Sequence, residues 1–269
     1  MDFRTWLGGR LGRCIGPLLR GHRIADANLR LVFPEYTPQQ RQGVLAGMWD
    51  NLGRVAGEYP HISVARLYAR TTIEGGEHLE ALSDAKASAV LVAGHFANWE
   101  VPIHVVTQLR IRFALIYRAV NNPYVKRILL WLRSDYASMM HDKRDRSVRV
   151  MHNALRNHEC LAMLVDQRLD EGVNVPFLGM PAMTAVSAVH MAIKYQVPLI
   201  ALRVERTGGA HFRITVQPPV LYAPSTPPAA AMEDLHRLFG TWIRERPEQW
   251  FWVHDRWKQR GRTRPRQDV

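Results

Sequence analysis

Cysteine is nearly missing from this 269-residue chain, which holds only Cys14 and Cys160. Two cysteines so far apart exclude a disulfide framework and a multi-cysteine zinc site, and they suit a reducing compartment. Lysine is scarce too: Lys86, Lys126, Lys143, Lys194 and Lys258 are the only ones among 36 basic residues, and the rest are arginine. No run of about 18 apolar residues reads as a bilayer-spanning helix. Arg10, Arg13 and Arg20 interrupt residues 1–23, where a secretory signal needs a continuous apolar stretch. There is no G-x-S-x-G, so a hydrolase nucleophile elbow is excluded. G-x-x-x-x-G-K-[ST] and G-x-G-x-x-G are lacking as well. So is H-E-x-x-H, and His95 and Glu100 have no further ligand at helical spacing, so no metal is expected.

Positive charge is abundant. Lys+Arg 36 against Asp+Glu 24 gives a net charge of +12. Such a surface seeks nucleic acid, an anionic membrane or an acidic partner. Arginine in particular suits bidentate contact with phosphate or carboxylate, although a GC-rich genome produces the same bias. Near the start, Phe3, Leu7, Leu11, Cys14, Ile15 and Leu18 fall close to one helical face and the arginines mostly on the other, as in a helix resting on an anionic membrane. Gly8, Gly9, Gly12, Gly16 and Pro17 weaken that helix, and a frayed or core-packed terminus is the alternative.

Thr37-Pro38 opens a clearer helix, with threonine as cap and proline in the first turn. Apolar residues from Leu45 to Tyr59 recur along it every three or four positions. Beyond it, apolar runs at 89–93, 113–117, 161–165, 198–204 and 212–216 read as strands. Residues 98–109, 123–133, 147–157, 184–196 and 229–245 read as helices. This alternation predicts an α/β fold: a single domain with a mostly parallel central sheet flanked by helices. We divide the chain into a basic amphipathic segment (1–30), a catalytic domain (31–255) and a basic tail (256–269).

The chemistry concentrates in His95-Phe96-Ala97-Asn98-Trp99-Glu100, which follows the apolar run ending at Gly94. A histidine at the carboxyl end of a buried strand stands where α/β sheets bind ligands. On one continuous helix His95 and Glu100 would point roughly 140° apart. They meet only if His95 lies on the strand-to-helix turn and Glu100 on the first helical turns. A histidine oriented by a carboxylate is a general base. With no nucleophile of the protein's own in view, the pair suits direct attack by a substrate hydroxyl.

Five blocks in collinear order resemble the lipid A biosynthesis acyltransferases of Gram-negative bacteria, relatives of the glycerolipid acyltransferases. They are Asn28 to Glu35; His95 to Glu100, matching the family's histidine, four residues, acidic residue signature; Tyr117-Arg118 with Asn121-Asn122-Pro123; Asp166-Gln167 with Val175-Pro176-Phe177-Leu178-Gly179; and Pro247-Glu248-Gln249-Trp250 with Trp252 and Arg256-Trp257-Lys258. The chain departs from the pattern in two places. The family's apolar anchoring helix is missing or replaced by the short basic segment, and Ala119 stands where Tyr-Arg-Pro is common.

The resemblance implies a glycerolipid-acyltransferase-like fold and O-acyl transfer from an acyl carrier protein thioester to a hydroxyl of a phosphorylated lipid A precursor. No other cofactor is implied. His95 would be the base and Glu100 its orienting carboxylate. Arg118 would serve the oxyanion or a substrate phosphate, or else a strand-end ion pair. Asn121 and Asn122 would contact substrate. Asp166, Gln167 and Arg168 would contact it or brace the site. Val175 to Leu178 would line an acyl slot or belong to the core. The expected partners are acyl carrier protein, an anionic phosphorylated lipid and the inner-membrane surface, without nucleic acid. The expected place is the cytoplasmic face of that membrane, peripheral or weakly anchored. Competing readings are the same chemistry on an amino-acid lipid, glycolipid or lysophospholipid, a basic nucleic-acid-binding protein, and a catalytically idle membrane-interaction protein.

Overall fold

The computed structural model describes residues 1–85, 87–117, 123–142 and 147–258. Three helices come first: α1 (Asp2–Ile15), α2 (Arg20–Val32) and α3 (Pro38–Glu58). The start of α3 is locked by a reciprocal capping box: Gln40 N donates to Thr37 Oγ1 at 3.2 Å, and Thr37 N donates to Gln40 Oε1 at 2.8 Å. The glycines expected to weaken α1 do not break it, because they are its packing face. A Cβ on Gly12 would stand 2.2 Å from Trp49 O, and one on Gly8 would stand 2.2 Å from Gly53 O. The two backbones approach too closely for any side chain, and this packing outweighs the poor helix propensity of glycine.

After α4 (Val64–Tyr68) the chain runs β1 (Thr71–Glu74), α5 (Glu77–Ala85), β2 (Val90–Ala93), α6 (Val101–Gln108), β3 (Phe113–Tyr117), α7 (Pro123–Leu132), β4 (Met140–Asp142), α8 (Ser147–Arg156) and β5 (Cys160–Leu164). A hairpin of β6 (Arg168–Phe177) and β7 (Met180–Thr184) follows. The chain then continues through α9 (Ser187–Tyr195), β8 (Leu199–Gly208), β9 (His211–Val216) and α10 (Pro228–Glu245).

Among the described residues seven strands form one sheet in the order β1-β9-β8-β2-β5-β3-β4. Every pairing in it is parallel except β8–β9. This is the mixed α/β domain the alternating pattern predicts. The expected strands and helices all occur, with ends shifted by a few residues. The two short edge strands β1 and β4 and the β6–β7 hairpin escape sequence reading. Their burial is partial, so they lack the continuous apolar run of the central strands.

The central strands β2, β5 and β8 are almost wholly buried. Parallel strands end on the same edge. The segments following β2 and β5 therefore emerge side by side, and that edge carries the site.

Candidate active site

His95 follows β2 by two residues and Asp166 follows β5 by two. The register pairs Ala93 with Leu164, so the same step along neighbouring parallel strands brings the two side chains together. His95 Nδ1 donates to Asp166 Oδ1 at 2.7 Å, and the His95 backbone N donates to Asp166 Oδ2 at 2.7 Å. Trp250 Nε1 adds a third donor to Oδ2 at 2.9 Å. Burial alone would raise the Asp166 pKa, but His95, its two hydrogen bonds and the Trp250 indole lower it to about 2. Asp166 is thus an ionised, fully enclosed acceptor that fixes the proton of His95 on Nδ1. That leaves the Nε2 lone pair directed at a cavity of about 280 Å³, where the Gln167 amide donates to it at 3.2 Å. Trp99 and Phe251 flank the ring, with centroids 5.3 and 5.6 Å away.

Glu100 does something different from what its spacing suggests. It is buried at the N-cap of α6, and both its oxygens are committed elsewhere. Oε1 accepts from Tyr59 Oη at 2.9 Å and Arg133 Nη2 at 2.5 Å; Oε2 accepts from Arg133 Nε at 3.1 Å and Tyr136 Oη at 2.5 Å. Burial opposes ionisation of Glu100, but Arg133 and these hydrogen bonds outweigh it and hold its pKa below the ordinary value. The expected His95–Glu100 pair is therefore corrected: the carboxylate on His95 is Asp166, and Glu100 neutralises a buried arginine. The physical reason lies in the turn between them. Ala97 adopts φ +44°, an unfavourable conformation for a residue with a Cβ. Hydrogen bonds at both its backbone N and O hold it there: Ala97 N donates to Gln249 O at 2.8 Å, and Asn51 Nδ2 donates to Ala97 O at 2.9 Å. The turn carries Glu100 away from the imidazole.

Behind that turn lies a second polar network missed in the sequence. Asn98 Nδ2 donates to Glu58 Oε2 at 2.8 Å, and its Oδ1 accepts from Glu100 N at 3.1 Å. Glu58 is fully buried and forms a bidentate ion pair with Arg206, which also reaches Asn51 Oδ1 at 3.0 Å. Glu58 ends α3 while Arg206 lies on β8, so no local pattern links them. The same holds for Arg133, Tyr59 and Tyr136.

Of the other expected site residues, Gln167 and Arg168 line the cavity with His95, Glu100 and Arg133. Arg168 is paired with Asp170, and its backbone N donates to His254 Nε2 at 2.9 Å. Arg118, Asn121 and Asn122 lie outside the described residues. Val175 and Phe177 belong to the core, where Phe177 packs on His236, Trp250 and Trp257. Arg256, placed at the start of a basic tail, is instead completely buried. It donates to Met183 O at 2.7 Å and Thr184 Oγ1 at 2.6 Å and stacks over Phe177.

A family model described as bacterial lipid A biosynthesis acyltransferase matches residues 1–259. The chain belongs to that family. Among its relatives is the lipid A biosynthesis lauroyltransferase of Escherichia coli K12, 24% identical across 93% of this chain and 85% of the relative. The palmitoleoyltransferase of the same organism is 23% identical across 95% and 85%. A lipid A biosynthesis acyltransferase of Haemophilus influenzae is 23% identical across 93% and 80%. The cavity at His95 thus belongs to an acyltransferase of the lipid A type. Among the described residues no helix is long and apolar enough to cross a membrane.

The packing beneath this acyltransferase site carries a pH signature. Burial, with Arg256 alongside, pushes the His236 imidazole down from 6.5 to about 4, although its hydrogen bond with Pro176 O works the other way. Between these two values the unfolded chain binds a proton that the folded chain does not, so stability falls as pH drops from 6.5 to 4. The loss amounts to roughly 3 kcal/mol. Asp166 extends the decline below its ordinary 3.8 toward its folded value of about 2. Urea midpoints at pH 7, 5.5 and 4 are expected to fall in that order, and His236→Gln is expected to flatten the upper part of the curve. A midpoint unchanged between pH 7 and 4 would show that His236 does not stay neutral.

Proposed function

We propose that this chain transfers a fatty acyl group from an acyl carrier protein thioester to a hydroxyl on a lipid A precursor, with His95 as general base. The observation that carries the reading is the Asp166–His95 hydrogen bond, which leaves Nε2 as the acceptor facing the cavity. The relatives are named for lauroyl and palmitoleoyl transfer, which supplies the class of group transferred.

In this reading the substrate hydroxyl takes the place of the Gln167 amide on Nε2. Its proton passes to His95 as its oxygen bonds to the thioester carbonyl carbon. Asp166 stabilises the imidazolium so formed, as in other carboxylate-histidine pairs. The displaced Gln167 amide is a donor for the tetrahedral oxyanion. The C–S bond then breaks, and His95 returns the proton to the departing thiolate. No acyl-enzyme is required because the thioester is already activated. Arg168, on the cavity wall beside Gln167, is the cation for the acceptor's phosphate, exchanging the exposed Asp170 carboxylate for it, while Arg133 stays neutralised by Glu100. The net charge of +12 suits an acidic carrier and an anionic membrane.

The membrane face is assigned to α1 and the turn after it. Phe3, Leu7, Leu11, Ile15 and Leu18 are exposed there, Leu18 at 84%. The glycine seam against α3 prevents these side chains from turning inward. Arg10, Arg13 and Arg20, also exposed, match anionic headgroups.

The test is transfer of a labelled acyl chain to a tetra-acylated lipid A precursor, with acyl carrier protein and coenzyme A thioesters compared as donors and anionic and zwitterionic vesicles as supports. Transfer from the carrier protein, faster on anionic vesicles, is expected. Transfer from coenzyme A alone would discard the donor, equal rates on both vesicles the membrane face, and no transfer from either thioester the acceptor.

A further inference from the structure

The cavity at His95 continues past the imidazole as an apolar slot between the sheet and α6. Side chains alternate along a strand, and the register aligns them across strands. Ala93 is level with Leu164 on one side and Leu202 on the other, and these line the mouth beneath His95. The next row on the same face is Leu91, Ala162 and Leu115. The facing wall is Pro102, Ile103 and Val106 of α6, which share one side of that helix.

The slot reaches no third row. Phe113 comes next on that face of β3. It is level with Cys160 and buried to 3% exposure, and it is not among the residues that line the cavity. Rows two residues apart are about 6.6 Å from each other, so the slot closes roughly 13 Å below the mouth. In the second row Ala162 stands between two leucines. Its missing side-chain volume keeps the middle of that row open.

We propose that this slot takes the acyl chain and that Ala162 and Phe113 set which chain lengths fit. Ala162 lets a chain pass the second row, and Phe113 stops its methyl end at the third. The inference rests on the reading that the bound group is a fatty acyl chain, and it is independent of donor and acceptor. A hydrophobic pocket discriminates by about 10–200-fold per methylene gained or lost. Filling one row therefore changes the ranking of chains rather than affinity in general.

The experiment measures displacement of a fluorescent fatty acid from the full chain by hexanoate, decanoate, laurate and myristate. A chain of about six carbons ends near the second row and one of about ten reaches the third, so Ala162→Leu is expected to weaken decanoate and laurate by at least about tenfold while hexanoate stays within about twofold. Phe113→Leu, which vacates ring volume at the blind end, is expected to shift preference toward longer chains. Thermal melting checks the fold, and if Ala162→Leu is unfolded, Phe113→Leu decides by itself. Equal weakening of all four acids, or an unchanged ranking in both variants, would overturn the inference. Fatty acid binding that shifts as expected in a protein unable to acylate lipid A would overturn only the functional reading.

Discussion

Asp166→Asn is expected to lower kcat for acyl transfer by about 10⁴-fold with little change in KM, because asparagine can hold the His95 ring in place but favours the wrong tautomer. His95→Ala removes the base itself and is expected to cost at least about 10²–10⁴-fold. Both follow from one hydrogen bond, His95 Nδ1 to Asp166 Oδ1 at 2.7 Å, supported by Trp250 on the other carboxylate oxygen. The decisive comparison is with Glu100→Gln. The amide keeps an acceptor for Tyr136 or Arg133 and touches no atom of His95, so its kcat is expected to fall far less than that of Asp166→Asn. The reverse ranking in steady-state kinetics would return the orienting role to Glu100 and sink the assignment of Asp166.

Glu100→Ala is expected to act on stability instead, lowering the unfolding free energy by about 3–5 kcal/mol. The substitution leaves Arg133 with no anion and strips Tyr59 and Tyr136 of their acceptor, in a site where Glu100 is only 4% exposed. The cost comes from stranding a buried cation and is larger than the net worth of the pair. Replacing Glu100 and Arg133 together by glutamine and methionine is therefore expected to recover much of the loss. Denaturant titration of the three variants measures this. A Glu100→Ala protein as stable as wild type would show that the cluster is solvated and carries no structural role.

The two substitutions separate functions that the short motif merges. In His95-Phe96-Ala97-Asn98-Trp99-Glu100 the histidine faces the cavity and is held by Asp166, Asn98 ties the turn to Glu58, and Glu100 anchors α6 to Tyr59, Arg133 and Tyr136. The loop is over-determined from behind by the buried Glu58–Arg206 pair. This explains how Ala97 is kept in a backbone conformation that sequence alone disfavours. In the proposed mechanism a rigid turn of this kind holds the base in place without relying on substrate to order it.

Much of the site was legible in the residues because its signals are local. The run Ala89 to Ala93 had to be a buried strand, the glycine after it a turn, and His95 a side chain delivered to the sheet's carboxyl edge. Gly94 bears this out: a Cβ there would lie 2.5 Å from the Phe96 ring and 3.2 Å from Asp166 Oδ2. Five ordered blocks identified the family. What stayed hidden was every contact between blocks. Nothing along the chain distinguishes Asp166, at the end of β5, from Glu100 as the partner of His95. Nothing marks Arg256 as buried rather than solvated.

By itself, then, the sequence determined the alternation of strands and helices, the strand end on which His95 stands and the family to which the chain belongs. Hydrophobic periodicity and motif order are properties of neighbours along the chain. Only the tertiary structure decided which carboxylate meets the histidine, because parallel register places Asp166 beside His95 across 71 residues while the Ala97 turn sends Glu100, five residues away, into a different cluster. Only the tertiary structure likewise decided that α1 stays an unbroken helix despite its glycines, through close backbone contact with α3 that glycine permits.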